Sequence, residues 1–257
     1  MHEETRPYVI AIVGSRRKKN TWSLAESLRP FVEEAGFNLL VESIYDSDVR
    51  DCIGCHRCVE GGECGIRDGM PALMARIQGA AGIVLASPVY MCGPSGRLKS
   101  GIDRTAAWFH RPVLAGKPGM ALVTTAGSYQ KDTLRYLATV SMHWGLLYCG
   151  GAVRNAGDSG KQLSPREVEK FIRCLRGGSA DFRPSFHQLS LFQVQKVLAQ
   201  KILPVDRTYW EDNGWTKKVF YVDCRTPLWK RILAWTFYRI LYAKVRGFDS
   251  DEDGILA

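Results

Sequence analysis

Four of the eight cysteines, Cys52, Cys55, Cys58 and Cys64, fall in one short stretch with the spacing C-x2-C-x2-C-x5-C. Thiolates crowded this closely repel one another unless a positive centre lies between them. An iron–sulfur cluster is such a centre, and it is held by four cysteine thiolates, often with C-x2-C-x2-C spacing. Zinc is the first rival, although it usually takes two C-x2-C pairs separated by a longer connection. A disulfide or a set of redox thiols is the third reading. Gly54, Gly61, Gly62 and Gly65 let the backbone fold tightly around one centre. Cys92, Cys149, Cys174 and Cys224 are scattered and read as small buried hydrophobes.

Two further stretches carry polar or aromatic groups suited to binding. GSRRKKNT, residues 14–21, follows a short apolar run and precedes a helical pattern. Backbone N–H groups at such a turn, with hydroxyls and guanidinium nearby, suit a phosphate. The stretch contains neither G-x-G-x-x-G nor G-K-[ST], so it is no dinucleotide fingerprint or P-loop. A solvated basic loop is the plain alternative. In the second stretch, residues 86–104, Tyr90 and Met91 stand before a Gly-Pro turn. They suit a flat apolar wall or ordinary loop packing.

The elements that position these stretches follow from periodicity. YVIAIV, residues 8–13, is a buried parallel strand, and Leu24, Leu28, Phe31 and Val32 mark a helix stopped by Gly36. A second strand covers residues 37–45, and a short helix covers 68–78 with Asp68 as N-cap. Residues 83–86 form a third strand, with a helix from Ser95. A fourth strand covers 119–125, followed by a helix through Leu134, Leu137, Ala138 and Met142. A fifth covers 145–153, interrupted by Gly150 and Gly151. Ser164, Pro165 and Glu167 open a helix over 164–175 with a capping box. Five strands alternating with helices imply an α/β doubly wound parallel sheet over residues 1–177. Ligands of such sheets bind beyond the carboxyl ends of the strands, at the switch point.

From residue 178 to 257 the alternation stops. Four of the seven tryptophans, Trp210, Trp215, Trp229 and Trp235, lie in this extension. Residues 192–203 and 228–245 read as helices, the second aromatic and basic. Such a helix packs on its own chain or a neighbouring subunit; contact with an anionic membrane surface is the lesser alternative. Asp249, Asp251, Glu252 and Asp253 read as a solvated end.

The chain has 257 residues, 46% of them hydrophobic, with a net charge of +9. That suits one large domain, or a domain with an appendage, and an acidic or phosphorylated partner. No helix-turn-helix or RNA-binding signature is present, so nucleic acid is not expected. The start of the chain lacks the pattern of a signal peptide, and no apolar run approaches membrane-spanning length. A cytoplasmic location is expected, where clustered cysteines bind metal more often than they form disulfides.

Over roughly residues 8–177 the chain resembles the iron–sulfur flavoproteins, within the NADPH-dependent FMN reductase group of flavodoxin-like proteins. Three pieces carry the resemblance: GSRRKKNT, the cysteine run continuing into IRDGM, and ASPVYMCGPSGRLKSGIDR. The first loop is one residue shorter than is usual there, and Gly69 stands where a second acidic residue is common. The resemblance implies FMN, with its phosphate on Ser15, Arg17, Asn20 and Thr21. Pro88, Val89, Tyr90, Met91 and Gly93 fall on the ring-binding loop, and Thr125, Ala126 and Gly127 on a third loop. It implies a 4Fe-4S cluster on Cys52, Cys55, Cys58 and Cys64, beside the flavin edge. It also implies a homo-oligomer, dimer or tetramer, with the flavin near a subunit interface.

The first functional expectation is therefore an oxidoreductase passing electrons between a 4Fe-4S cluster and FMN, with a small-molecule or ferredoxin-type electron partner. The second is an NAD(P)H-dependent FMN or quinone reductase with a structural metal site. The third is a redox-sensing module without catalysis. No acid–base residue is assigned; His56 and His110 qualify by type alone and suit surface or structural roles.

Overall fold

A computed structural model describes residues 6–158 and 160–246, so the acidic residues from Asp249 lie outside the described part. Its elements run β1 (Tyr8–Val13), α1 (Asn20–Glu26), α2 (Arg29–Glu34), β2 (Asn38–Ser43), α3 (Met70–Gly79), β3 (Gly82–Tyr90) and β4 (Gly93–Pro94). They continue α4 (Gly96–Asp103), α5 (Ala106–His110), β5 (Pro118–Thr124), α6 (Gln130–His143) and β6 (Leu147–Arg154). The last are α7 (Pro165–Gly177), α8 (Phe186–Lys201), α9 (Pro204–Asp212) and α10 (Leu228–Lys244).

The sheet order is β2-β1-β3-β5-β6, all parallel, with the two-residue β4 folding back antiparallel on β3. With β4 set aside, this is the flavodoxin-like order, and its switch point lies between β1 and β3. Alternate strand residues feed two cores. Val9, Ala11, Val13, Val84 and Ala86 join α1, α2 and α7 on one face. Ile10, Ile12, Ile83 and Leu85 join α3, α4 and α6 on the other.

Several boundaries differ from the periodicity, each for a local reason. The first helix is two helices, because Pro30 opens α2 and cannot donate back into α1. Gly69, not Asp68, caps α3, although the Asp68 carboxylate still accepts the Met70 N–H at 3.0 Å. The Gly150–Gly151 pair does not interrupt the last strand; it accommodates a register shift against β5 inside a continuous β6. Ser164 and Glu167 form the expected capping box of α7. Cys149 and Cys174 are buried, Cys149 Sγ donating to Leu147 O at 3.0 Å, whereas Cys92 is exposed. Met91 and Cys92 both take positive φ at the tip of the β3–β4 hairpin, which turns them outward.

The part after α7 bridges the two layers. Phe182, Phe192, Trp210, Trp215, Phe220 and Tyr221 extend the core that begins under α7. On the other layer, Gln195 Nε2 donates to the carbonyls of Phe109 and His143, and Trp210 Nε1 donates to that of His110. The helix of this region begins at Phe186, six residues before its apolar periodicity suggests, on a capping box made by Ser185 and Gln188. The short helices α5 and α9 carry no periodic signal of their own.

Candidate functional site

At the switch point the turns after β1, β3, β5 and β6 enclose a cavity of about 410 Å³. Its formation begins with Gly14. The Gly14 N–H donates to Ala86 O at 2.7 Å, and a Cβ there would lie 2.6 Å from Ser95 Oγ. Only glycine lets the first loop approach the β3–α4 turn this closely. Ser15, Arg17, Asn20 and Thr21 all line the cavity, joined by Lys19 and Ser23. Ser15 is buried and its Oγ donates to Arg17 O at 2.8 Å, which folds the loop back on itself. Thr21 Oγ1 meets Thr124 Oγ1 at 2.6 Å across the cavity floor. The first turn of α1 has no side-chain cap and no acidic residue, so its N–H groups are available to an anion.

Pro88, Val89 and Tyr90 supply an apolar wall, and Thr125 and Ala126 a polar rim. Tyr90 is about half exposed, as a wall open to a flat ring would be. Met91, Gly93 and Gly127 do not line the cavity. Met91 is 97% exposed at the hairpin tip, and the Gly127 N–H donates to Thr125 Oγ1 at 3.0 Å to shape the rim.

The fourth wall, Arg154, Asn155, Ala156, Gly160, Lys161 and Gln162, was not anticipated. Arg154 organises it. Its guanidinium donates to the carbonyls of Lys161 and Gln162 and pairs with both Glu167 oxygens at 2.9 Å. That ion pair, against the opposing effect of burial, pulls the Glu167 carboxyl down to about 2. The available signal was the polar pair Arg154–Asn155 at the carboxyl end of the last strand, where ligand loops of this architecture lie.

The cysteine stretch lies outside this cavity, and none of residues 51–68 lines it. It is an irregular loop with positive φ at Gly54, His56 and Gly61. Side chains from elsewhere hold it. At its start Ser100 Oγ donates to Asp51 at 2.6 Å. At its end the Arg104 guanidinium pairs with Asp68, both side chains being essentially buried, and also donates to Arg50 O at 2.9 Å. Burial alone would raise the Asp68 carboxyl, but Arg104 and the N–H groups of Arg50 and Met70 outweigh it and hold it below its ordinary value. Gly69 fits because a Cβ would crowd the Asp48 backbone at 3.0 Å. In the middle Arg111 donates to the carbonyls of Cys58 and Val59. Arg111 is itself paired with Asp206 of α9, a fully buried carboxylate that also meets His110 Nδ1 at 2.9 Å. His110 is thus a structural partner of Asp206, while His56 is exposed in the loop.

Cys52, Cys55 and Cys64 are exposed, Cys58 is half-buried, and all four are free thiols. Among the described residues, no three His, Cys, Asp or Glu side chains are close enough as they stand to hold a metal ion. Cys64 and Cys52 are nevertheless both within electrostatic reach of Cys58. Burial pushes the Cys58 thiol up, and Cys64 and Cys52 push it further. Two observations fit a cluster on this donor set. The Gly54 N–H lies 3.5 Å from Cys52 Sγ, the N–H···S contact that tunes cluster sulfur. Among the described residues Arg104 Nε is buried without a hydrogen-bond partner, and Cys64 lies close enough to raise the Arg104 pKa.

Comparison with known proteins agrees with this geometry. Residues 7–157 match the NADPH-dependent FMN reductase family. An iron-sulfur flavoprotein of Archaeoglobus fulgidus is 29% identical over 220 residues, covering 80% of this chain and 98% of that protein. An iron-sulfur flavoprotein of Methanosarcina thermophila is 30% identical over 121 residues, covering 47% of this chain and 60% of that protein. Among solved structures, a flavone reductase superposes with a TM-score of 0.50 at 12% identity, over 66% of this chain and 60% of that one, a likeness of fold.

Proposed function

Because the chain belongs to the NADPH-dependent FMN reductase family, a family of flavin-dependent oxidoreductases, we propose that it passes electrons between FMN in the switch-point cavity and a 4Fe-4S cluster on Cys52, Cys55, Cys58 and Cys64. The observation that supports this best is the pairing of a polar cavity built by four strand-end turns with a four-thiol loop braced by Arg104 and Arg111. When bound, FMN accepts two electrons and can release them singly while the cluster carries one, so together they join two-electron and one-electron partners.

In this reading Arg17, Lys19 and the α1 first turn take the phosphate, with Ser15 and Asn20 beside them. Thr21 and Thr124 hold each other and define the floor. Pro88, Val89 and Tyr90 cover one face of the ring, and Thr125 and Ala126 its edge. Arg104 Nε donates to sulfur at Cys64, and the Gly54 N–H to sulfur at Cys52. Residues 1–177 form the flavin-binding unit, and residues 178–257 an extension whose α9 braces the cysteine loop. The net charge of +9 suits an acidic ferredoxin-type partner, and NAD(P)H is the alternative electron source. Since the loop does not line the cavity, electrons leave it through intervening protein or across a subunit boundary of a homo-oligomer.

An anaerobic visible spectrum of the full chain, with iron, sulfide, zinc and flavin analysis, tests the reading. Broad sulfur-to-iron absorption with matching iron and labile sulfide, lost in Cys58→Ser, is expected together with FMN. Zinc without sulfide sinks the cluster and favours an FMN or quinone reductase with a structural metal. Flavin bound normally in Arg17→Ala would sink the phosphate assignment.

A further inference from the structure

The four tryptophans of the C-terminal extension divide into two kinds. Trp210 and Trp215 are buried in the aromatic core, whereas Trp229 and Trp235 of α10 are 57% and 60% exposed. Around them on α10 are Leu228, Ile232, Leu233, Ile240 and Tyr242, all exposed. Apart from Tyr242, which borders α8, these positions and the packed ones occupy opposite sides of the helix. Ala234 is buried, and Phe237, Tyr238 and Leu241 are half-buried on the side that lies on α8. Tyr238 OH donates to Gln200 of α8 at 2.9 Å, and Lys230 Nζ donates to Pro184 O at 3.0 Å. The helix is therefore fastened by one side and presents a mainly apolar and aromatic surface, with Thr236 and Arg239 set into it, on the other. At 17 residues it is about 25 Å long. An apolar face of that extent is not accounted for by single exposed side chains.

Among the described residues, the charges carried by α10 have one sign. Lys230, Arg231, Arg239, Lys244 and Arg246 lie on or just after α10, and no acidic residue occurs from Thr226 to Arg246. Lys201 of α8 adds to the rim, stacked on Tyr242 at 4.1 Å, whereas Lys196 is buried, its Nζ 4.5 Å from the Tyr238 ring and donating to Lys218 O at 3.1 Å. The Arg239 guanidinium lies 5.7 Å from the Trp235 ring centroid. Against a second α10, these cations would meet cations, so the charge pattern favours an anionic occupant. Tryptophan, tyrosine and long basic side chains around an apolar centre match the boundary between lipid headgroups and acyl chains. No described helix is long and apolar enough to cross a membrane.

We propose that α10 docks the protein on an anionic phospholipid surface. The helix lies in the interface, with Leu228, Ile232, Trp235 and Ile240 entering the acyl boundary and the basic rim contacting headgroup phosphates. This inference stands apart from the flavin and cluster assignments.

Flotation of the full-length, cofactor-loaded protein tests it, using vesicles of phosphatidylcholine with phosphatidylglycerol and vesicles of phosphatidylcholine alone. Tryptophan emission is followed in parallel. Binding to the anionic vesicles is expected, with a blue shift, weakening in high salt and at least about tenfold weaker partition on neutral vesicles. Trp235→Glu should abolish the binding, and Lys244→Ala should weaken it by about fivefold. Unchanged thermal midpoints show that these exposed positions leave the fold intact. No flotation on anionic vesicles in low salt overturns the proposal. So does equal flotation on both vesicle types. If instead Trp235→Glu converts a stable homodimer to monomer in a protein that ignores vesicles, the face belongs to a second copy of the chain.

Discussion

The loop after β1 and the loop after β2 leave the same edge of one sheet, yet they are built by different means. The first is shaped by close contact with the neighbouring strand-end turns. Gly14 closes it on the β3–α4 turn, Ser15 bonds two residues ahead, and Thr21 bonds Thr124 on the cavity floor. The second makes local backbone bonds of its own, such as Val59 N–H to His56 O and Gly62 N–H to Arg57 O, but it is held against the domain by Ser100, Arg104 and Arg111, delivered from α4 and the α5 region. One of those ties reaches further, because Arg111 is fixed by Asp206 in α9. The fold alone thus provides a small-ligand cavity, while the cysteine loop depends on long-range ion pairs and on the C-terminal extension. Damage at the first loop should cost affinity, and damage around the second should cost structure.

The sharpest separation comes from Arg104→Ala. It strands Asp68 without its partner in a site that excludes water. Losing one side of a buried pair destabilises by about 3–5 kcal/mol. Urea denaturation should show that loss, and the variant should retain little iron. A stable variant with normal iron content would break the distinction between the loops. Asp206→Ala comes next. It releases Arg111 and His110 together, with an expected loss of about 2–4 kcal/mol. Its diagnostic signature is lowered iron content with flavin affinity unchanged, although Asp206 lies about 150 residues from the cysteines in sequence. Arg17→Ala is the converse. Among the described residues its side chain makes no hydrogen bond, so stability without flavin should move by no more than about 0.5 kcal/mol. Removing a charge-assisted phosphate contact should weaken FMN binding by about 10- to 100-fold, measured by fluorescence titration.

The same contrast governs what could be read from residues alone. The succession of strands and helices followed from apolar runs, because both cores are filled by near-neighbour periodicity such as Val9–Ile12 and Ile83–Ala86, whereas the flavodoxin-like strand order was implied by the family resemblance. Nine of the twelve expected flavin residues line the cavity, since strand-end turns carry them there directly. Met91, Gly93 and Gly127 do not, and the two successive positive-φ residues that turn Met91 outward leave no mark that periodicity can detect. Asp206 had no local signal at all. It looks like an ordinary acidic residue in the first turn of a short helix, and only the tertiary approach to His110 and Arg111 gives it a task. The aromatic content of the extension was visible. Its division into buried Trp210 and exposed Trp235 depends on which side of each helix meets α8, a tertiary fact.

The smallest effect concerns the cavity's fourth wall and is read in acid. Glu167 is held at about 2 against an ordinary 4.5, chiefly by Arg154. Its folded form binds a proton less readily than its unfolded form. Its stabilising contribution is therefore complete above pH 4.5 and disappears as pH falls towards 2. Solvent reaches part of the side chain, so the effect is about 1–2 kcal/mol rather than the full value of the shift. His143 acts in a higher window. Partial burial, with His187 nearby, lowers it from 6.5 to about 4, so stability falls as pH drops from 6.5 through 4 and protonation is forced on a half-buried ring. Glu167→Gln should flatten the pH dependence below 4.5 and leave the His143 window untouched, in thermal midpoints measured across both ranges. Because Arg154 also holds the Lys161 and Gln162 carbonyls, the variant should weaken flavin binding by about two- to fivefold without altering iron content. Iron lost in step with flavin would mean that the cavity wall and the cysteine loop are coupled, and that the two loops are one structure after all.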